Sequence, residues 1–432
     1  MLEDLNLTRE ELVDALSRVQ CAVMTPYGRA GSTFFKGLFD QHEEVSSLPI
    51  ETNVYDFYAN EEEKFSPEEY LELFEKNSSG LFDLARGVFR PAACEDPPQS
   101  LRNIDKSAFC RIFFQLCQLY GDCGRKEYFL LIHIAFFLIC NRSLRNLKLI
   151  LLHLHSHHVM TTTRKGPRKD VFRQHKKFFQ DFPKASFITL LRNPVETLES
   201  ALSSERASKR KLAILQKDPV KNAQLIASMR ESYESSLVNR EDVRTHRVSA
   251  LYDMWKIPKS IYLLYLPGLH KEFDAVMAHV CAFLGVRYDP TLKQATFYGN
   301  PWVGFSGKRK NTASVNKNFT EKGERILTAD QEAVARLFYH DVLIKFFPEE
   351  AKLSLVDVLR VARLSLRYVL HLVVRKRSIK PDADTPEMDD ILGKRLIQRP
   401  HYLSDLLKEY IKLKRLRFLD ISNAVQYKSP DA

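Results

Sequence analysis

Two stretches of the chain bring together residue types suited to an anionic ligand. In the first, the apolar run Ala22 to Met24 breaks at Pro26 and Gly28, passes Arg29, Ala30 and a second glycine, Gly31, and opens on Ser32 and Thr33. A helical pattern with Phe34, Leu38 and Phe39 follows. A strand, a glycine-bearing turn and a helix start in that order aim unpaired backbone N–H groups at one point, which suits a phosphate oxyanion. Ser32 and Thr33 add hydroxyl donors. The lysine of the Gly-x-x-x-x-Gly-Lys-Ser/Thr loop of kinases and ATPases is missing, and Arg29 stands inside the loop instead. In the second stretch, the compact apolar run Ser186 to Leu191 leads directly into Arg192, and Ser200 lies eight residues beyond that. Arginine offers a planar fork for a dianionic phosphate. A serine about two helical turns along faces back toward it. The plainer alternatives are a glycine turn with a Ser/Thr helix cap, and a strand-to-helix turn with Pro194 near the first helical position.

Gly28-Arg29-Ala30-Gly31-Ser32-Thr33, its helix and then Asp40-Gln-His42-Glu-Glu-Val45 resemble the 5'-phosphosulfate loop of the sulfotransferases. Arg192 and Ser200 match the order and spacing of that family's 3'-phosphate motif. A third landmark is similar too: a β-like run from Ser260 to Leu266, a helical pattern from Leu269 to Leu284 ending in Phe-Leu-Gly285, and Trp302-Val-Gly304. Where the family usually carries an acidic pair, this chain has Pro267-Gly268. The resemblance spans roughly residues 18 to 348. It implies the donor 3'-phosphoadenosine 5'-phosphosulfate, held by residues 28 to 34, Phe34 included, and by Arg192 and Ser200. Arg29 would assist the departing phosphate. Lys308 and Arg309 stand where the family has a basic loop over the nucleotide; the usual Arg-Lys-Gly signature is absent, and solvated charge is the alternative.

Glu51 follows the loop helix after a short segment, where several sulfotransferase families place the base that takes the acceptor's proton; a surface carboxylate after Pro49 is the other reading. The run Leu147 to Leu154 predicts a buried strand leading into His153-Leu-His155-Ser-His157-His158. Alternation puts His153, His155 and His157 on one strand face. That spacing, without a nearby Cys or carboxylate, fits no standard zinc pattern, so no metal is expected. Small-molecule sulfotransferases use a histidine base, which makes His155 the second candidate.

The elements that must position these residues read as an α/β domain over residues 1–350: a three-layer sandwich with a mainly parallel sheet and a phosphate-binding loop. The 432 residues, 44% hydrophobic, suffice for a large core. A net charge of +11 favours anionic partners without choosing among them. Seven cysteines, an odd number with no Cys-x-x-Cys, read as free thiols in a reducing cytoplasm. Met1 to Arg18 is acidic and amphipathic, unlike a signal peptide or an anchor. Tyr128 to Cys140 is too short to span a bilayer and predicts a buried helix. Residues 351–432 form a basic helical extension with apolar stripes, able to lie on a membrane surface, pack on the core or meet a second copy.

The function these features predict is transfer of a sulfuryl group from that donor to a hydroxyl or amine of a carbohydrate or lipid-linked acceptor. The expected partners are the nucleotide and the acceptor, with a membrane surface or a second copy of the chain at the extension, and no nucleic acid. Two other classes remain open, a noncatalytic nucleotide-binding member of the same fold and a phosphate-loop kinase.

Overall fold

The structure is a computed structural model. It describes residues 7–26, 31–50, 58, 65–78, 80–85, 89, 101–154, 169–193, 195–197, 260–302, 329, 332, 336, 343 and 424–426. The chain divides into two compact units. The first comprises Met1–Arg192, Leu212–Glu321 and Ile421–Ala432; the second comprises Asn193–Lys211 and Lys322–Asp420.

In chain order the first unit contains α1 (Arg9–Arg18), β1 (Gln20–Pro26), α2 (Ser32–Leu38), β2 (Val45–Ser46), α3 (Pro67–Asn77), α4 (Lys106–Tyr120), α5 (Arg125–Ile139) and β3 (Leu149–His153). It continues with α6 (Lys169–Asp181), β4 (Ser186–Leu191), β5 (Ile261–Tyr265), α7 (Leu266–Lys271), α8 (Phe273–Leu284), β6 (Thr296–Phe297), β7 (Asn300–Pro301) and β8 (Ala424–Gln426). Local chemistry accounts for the helix starts. Thr8 with Glu11 and Ser66 with Glu69 form capping boxes ahead of α1 and α3, and the Asp105 side chain caps α4. The apolar run at Tyr128 is the buried helix that its composition predicts, with Tyr128 to Phe137 all buried in α5. Among the described residues no helix is long and apolar enough to cross a membrane.

Six strands form one sheet in the order β2-β3-β1-β4-β5-β8, and each adjacent pair is parallel. Cys21 to Thr25 of β1 and Leu149 to His153 of β3 are all buried, so both faces of the sheet are covered. On one face Ala22, Met24, Ile188, Leu190, Tyr262 and Leu264 share a core with Phe35 and Leu38 of α2 and with Met277 and Val280 of α8. On the other, Phe187 meets His175 and Phe179 of α6 at ring distances of 5.8 and 6.4 Å. The class is therefore α/β, a parallel sheet between two helical layers.

Two differences from the sequence pattern stand out. The single helix expected from Leu269 to Leu284 is broken at Glu272, whose backbone (φ −119°, ψ 44°) leaves the helical region and separates the short α7, begun by Pro267 in its first turn, from α8. The sheet's outermost strand, β8, comes from the segment that composition alone assigns to a helical extension. The expected domain boundary near residue 350 and the extension's helices lie outside the described residues.

In the second unit, the Asn193 side chain accepts from Val195 N (2.8 Å), and Thr197 N bonds Asn193 O, which starts a helical turn. Glu332 and Arg336 pair at 2.9 Å one turn apart, and Leu343 is fully buried.

Candidate functional site

The strand order changes direction at β1. From β1 the chain continues through α2 to β2 on one side of it, whereas from β4, its other neighbour, the chain goes on to β5 on the opposite side. In open parallel sheets such a switch leaves a crevice at the carboxyl ends of the two strands, where ligands bind. Both predicted phosphate motifs leave the sheet there. Pro26, the last residue of β1, pairs with Leu190 of β4, and Arg192 lies two residues past that partner.

Gly31 ends the loop in a left-handed conformation (φ 79°) as the N-cap of α2. It is needed twice over. A side chain would be strained at that φ, and a Cβ there would lie 2.7 Å from Leu266 Cδ1. Gly31 has no side chain with which to cap α2, so the first N–H groups of the helix are left to other acceptors. Ser32 is buried and Thr33 half-buried at this end.

Behind the loop, Phe34 stacks on His270 of α7 (5.1 Å between centroids, 26° between planes) and lies 6.4 Å from Trp302. Arg192 is half-buried at the end of β4. Burial, and after it the Arg192 charge, pushes the His270 imidazole down to about 4, so the ring is neutral at neutral pH. Loop end, arginine, imidazole and indole thus belong to one neighbourhood at the sheet edge.

The far end of α2 is fixed by a buried carboxylate. Asp40 Oδ1 accepts from Tyr298 N (2.9 Å), while Oδ2 accepts from Thr296 Oγ1, Gly299 N and Gln41 Nε2 at 2.8, 2.9 and 2.7 Å. These bonds tie the β6–β7 hairpin to α2. Its two-residue turn, Tyr298-Gly299, has positive φ at both positions (50° and 73°), the geometry of a tight hairpin. His42 accepts from Glu44 N at Nδ1 and donates from Nε2 to Arg287 O (2.7 Å), which joins the same region to the end of α8. The Asp40 to Val45 stretch is therefore scaffold in this structure.

Of the predicted site residues, the structure brings Gly31, Ser32, Thr33, Phe34 and Arg192 to one edge of the sheet. Gly28, Arg29, Ala30, Glu51, His155, Ser200, Lys308 and Arg309 lie outside the described residues. His153, the first of the histidine run, is buried at the end of β3 opposite Met24. The sequence reading missed His270 and Lys36. The one available signal was a polar residue interrupting an apolar helical pattern, and that pattern is equally common at a solvated helix face.

No family model matches the chain, and no curated protein matches it in sequence. Among solved structures it is similar to the sulfotransferase domain from the curacin biosynthetic pathway, at 15% identity and a TM-score of 0.38, over 74% of this chain and 98% of that one. It is also similar to the sulfotransferase domain from the Synechococcus PCC 7002 olefin synthase, at 16% identity and a TM-score of 0.36, over 74% of this chain and 95% of that one.

Proposed function

We propose that the chain transfers a sulfuryl group from 3'-phosphoadenosine 5'-phosphosulfate to a hydroxyl or amine of a carbohydrate or lipid-linked acceptor. The observation that carries this reading is that the loop ending at Gly31 and the arginine Arg192 leave the adjacent parallel strands β1 and β4 at the same end of the sheet, at the switch point between them. The helix start after β1 offers backbone N–H groups and hydroxyls, the end of β4 a guanidinium, and a nucleotide with phosphates at both ends of its ribose suits that pair.

In the proposed reaction the acceptor oxygen or nitrogen attacks sulfur in line with the bond to the bridging phosphate oxygen. The new bond to sulfur forms as that S–O bond breaks, and adenosine 3',5'-bisphosphate leaves. The acceptor's proton goes to Glu51, with His155 as the alternative base. Arg29 and the loop N–H groups stabilise the charge developing on the phosphate oxygen. Arg192 holds the 3'-phosphate throughout, so its contribution is binding.

The test is thermal unfolding with adenosine 3',5'-bisphosphate against AMP. A ligand at 100 times its Kd stabilises the native state by about 2.7 kcal/mol. The bisphosphate is expected to raise Tm well above the AMP value, and Arg192→Ala to erase the difference. Equal shifts from the two nucleotides in the unmutated protein refute the assignment.

A further inference from the structure

Cys117 and Cys123 lie at the connection between α4 and α5. Cys117 is in the last turn of α4 and is 5% exposed, whereas Cys123 is half-buried in the turn Gly121 to Gly124. Gly121 reverses the chain at φ 98°, a positive value open to glycine, and its N–H donates to Cys117 O (2.9 Å). The turn thereby returns Cys123 to the helix end, where the Cys117 thiol donates to the Cys123 sulfur. Both flanks are held. Glu127 Oε2 accepts from Gly124 N (3.0 Å) at the start of α5, and Phe113 of α4 meets Tyr128 of α5 at 6.4 Å between centroids. Two sulfurs in hydrogen-bond contact across a short, fixed turn need little movement to reach the roughly 2 Å of a disulfide.

We propose that Cys117 and Cys123 are a redox site, a dithiol that a hydroperoxide closes reversibly into a disulfide. The proposal is independent of the sulfuryl-transfer reading. The Cys123 sulfur attacks the peroxide: an S–O bond forms, the O–O bond breaks, and the departing oxygen leaves as water or alcohol with the Cys123 proton. Cys117 then attacks the sulfenic sulfur, so that the S–S bond forms, the S–O bond breaks, and hydroxide leaves as water with the Cys117 proton. The sulfurs lose two electrons and the peroxide gains them. A dithiol reductant reverses the bond by exchange. The thiolate is the nucleophile, which places the first attack at Cys123. The Cys117 hydrogen bond holds the Cys123 thiol below its usual range, against burial and the Glu127 and Asp122 carboxylates. Burial raises Cys21, lifts Cys140 and Cys281 to about 12, and with Glu75 raises Cys110. The disulfide would staple α4 to the start of α5; just past the other end of α5, Arg142 donates to the carbonyls of Asp40, His42 and Val45.

The sequence supplies a convenient readout, because trypsin cutting at Arg111 and Arg125 releases residues 112–125, which carry both cysteines and no other. The full chain is treated with stoichiometric hydrogen peroxide, unfolded in N-ethylmaleimide, digested without reductant and weighed. The fragment is expected to be two hydrogens lighter than the dithiol and to carry no adduct, while the fragments with Cys21 and Cys281 are alkylated. Dithiothreitol before alkylation should restore both adducts. In Cys117→Ala, dimedone should trap Cys123 as its sulfenic acid, and in Cys123→Ser, Cys117 should remain alkylated. The disulfide form should melt roughly 2–8 °C above the reduced form, a gain absent from both variants.

A fragment that keeps both adducts after peroxide overturns the proposal, as does a disulfide from either residue to a third cysteine. Sulfinic acid at Cys123 without a disulfide overturns it too, since the second thiol is then out of reach. A disulfide form that melts no higher than the reduced one overturns the staple. Where a variant does not fold, the fragment's mass from the unmutated chain, before and after dithiothreitol, decides the question alone.

Discussion

Gly31→Ala is the perturbation whose size follows most directly from the structure. The residue has φ 79°, and a left-handed backbone costs a non-glycine residue about 1–2 kcal/mol. The new methyl would also meet Leu266 Cδ1 at 2.7 Å and Cδ2 at 3.1 Å, and Leu266 is 2% exposed within the core. Overpacking of this kind costs about 1–3 kcal/mol, for a total of roughly 2–5 kcal/mol. The two contributions separate in a double-mutant cycle with Leu266→Val, which removes both offending δ carbons. In that background Gly31→Ala should cost only the backbone part, about 1–2 kcal/mol. Urea denaturation with an unchanged slope reads each cost as a shift in midpoint. The bisphosphate-induced Tm rise should weaken in both glycine variants, since the loop ends at this residue. An equal cost in the two backgrounds would refute the packing argument, and a cost under about 0.5 kcal/mol would refute both.

Glu51→Gln is expected to keep the bisphosphate response while turnover falls roughly 10²- to 10⁴-fold, and His155→Ala to cost less; the reverse pattern assigns the base to the histidine. Asp40→Asn puts an NH₂ group among N–H and O–H donors and should destabilise by about 2–4 kcal/mol in urea; a change below about 0.5 kcal/mol would show that the hairpin does not depend on the carboxylate. His133 and His270 stay neutral when folded down to about 3 and about 4, against 6.5 for the free side chain. Between these values the unfolded state binds more protons, so their stabilising effect is full above about 6.5 and is lost as pH falls toward about 4 for His270 and about 3 for His133. His270→Phe, which keeps a ring against Phe34, should flatten the Tm-against-pH curve across that window, and an unchanged slope would exclude His270 as a contributor.

The parts of the fold legible from sequence are those whose signal is local. β1, β3, β4 and β5 are short, mainly apolar runs closed by Pro, Gly or polar residues, and the glycines at 28 and 31 mark the loop between strand and helix. The parts that were not legible take their state from distant partners. β8 is Ala-Val-Gln, three residues with no pattern of their own, and it is a strand because β5 offers a free edge. The β6–β7 hairpin has two-residue strands, held by an aspartate more than 250 positions earlier in the chain. Nothing local in the sequence marks Lys36 as buried, since the carbonyl it bonds is 14 residues away. The broken helix at Glu272 was misread for the opposite reason: the apolar periodicity continues across the break.

The position of β8 bears on how the protein is made. Residues 424–426 are synthesised after the whole of the second unit, whose segments end at Asp420, yet they complete the sheet of the first. During translation the earlier strands can pair as they emerge, but β5 carries an unpaired edge until some 160 further residues have been added. An open edge is a template for pairing with other chains. The nascent protein therefore passes through a long interval in which its sheet is one strand short. A ribosome stalled anywhere between residues 322 and 420 would display that exposed edge.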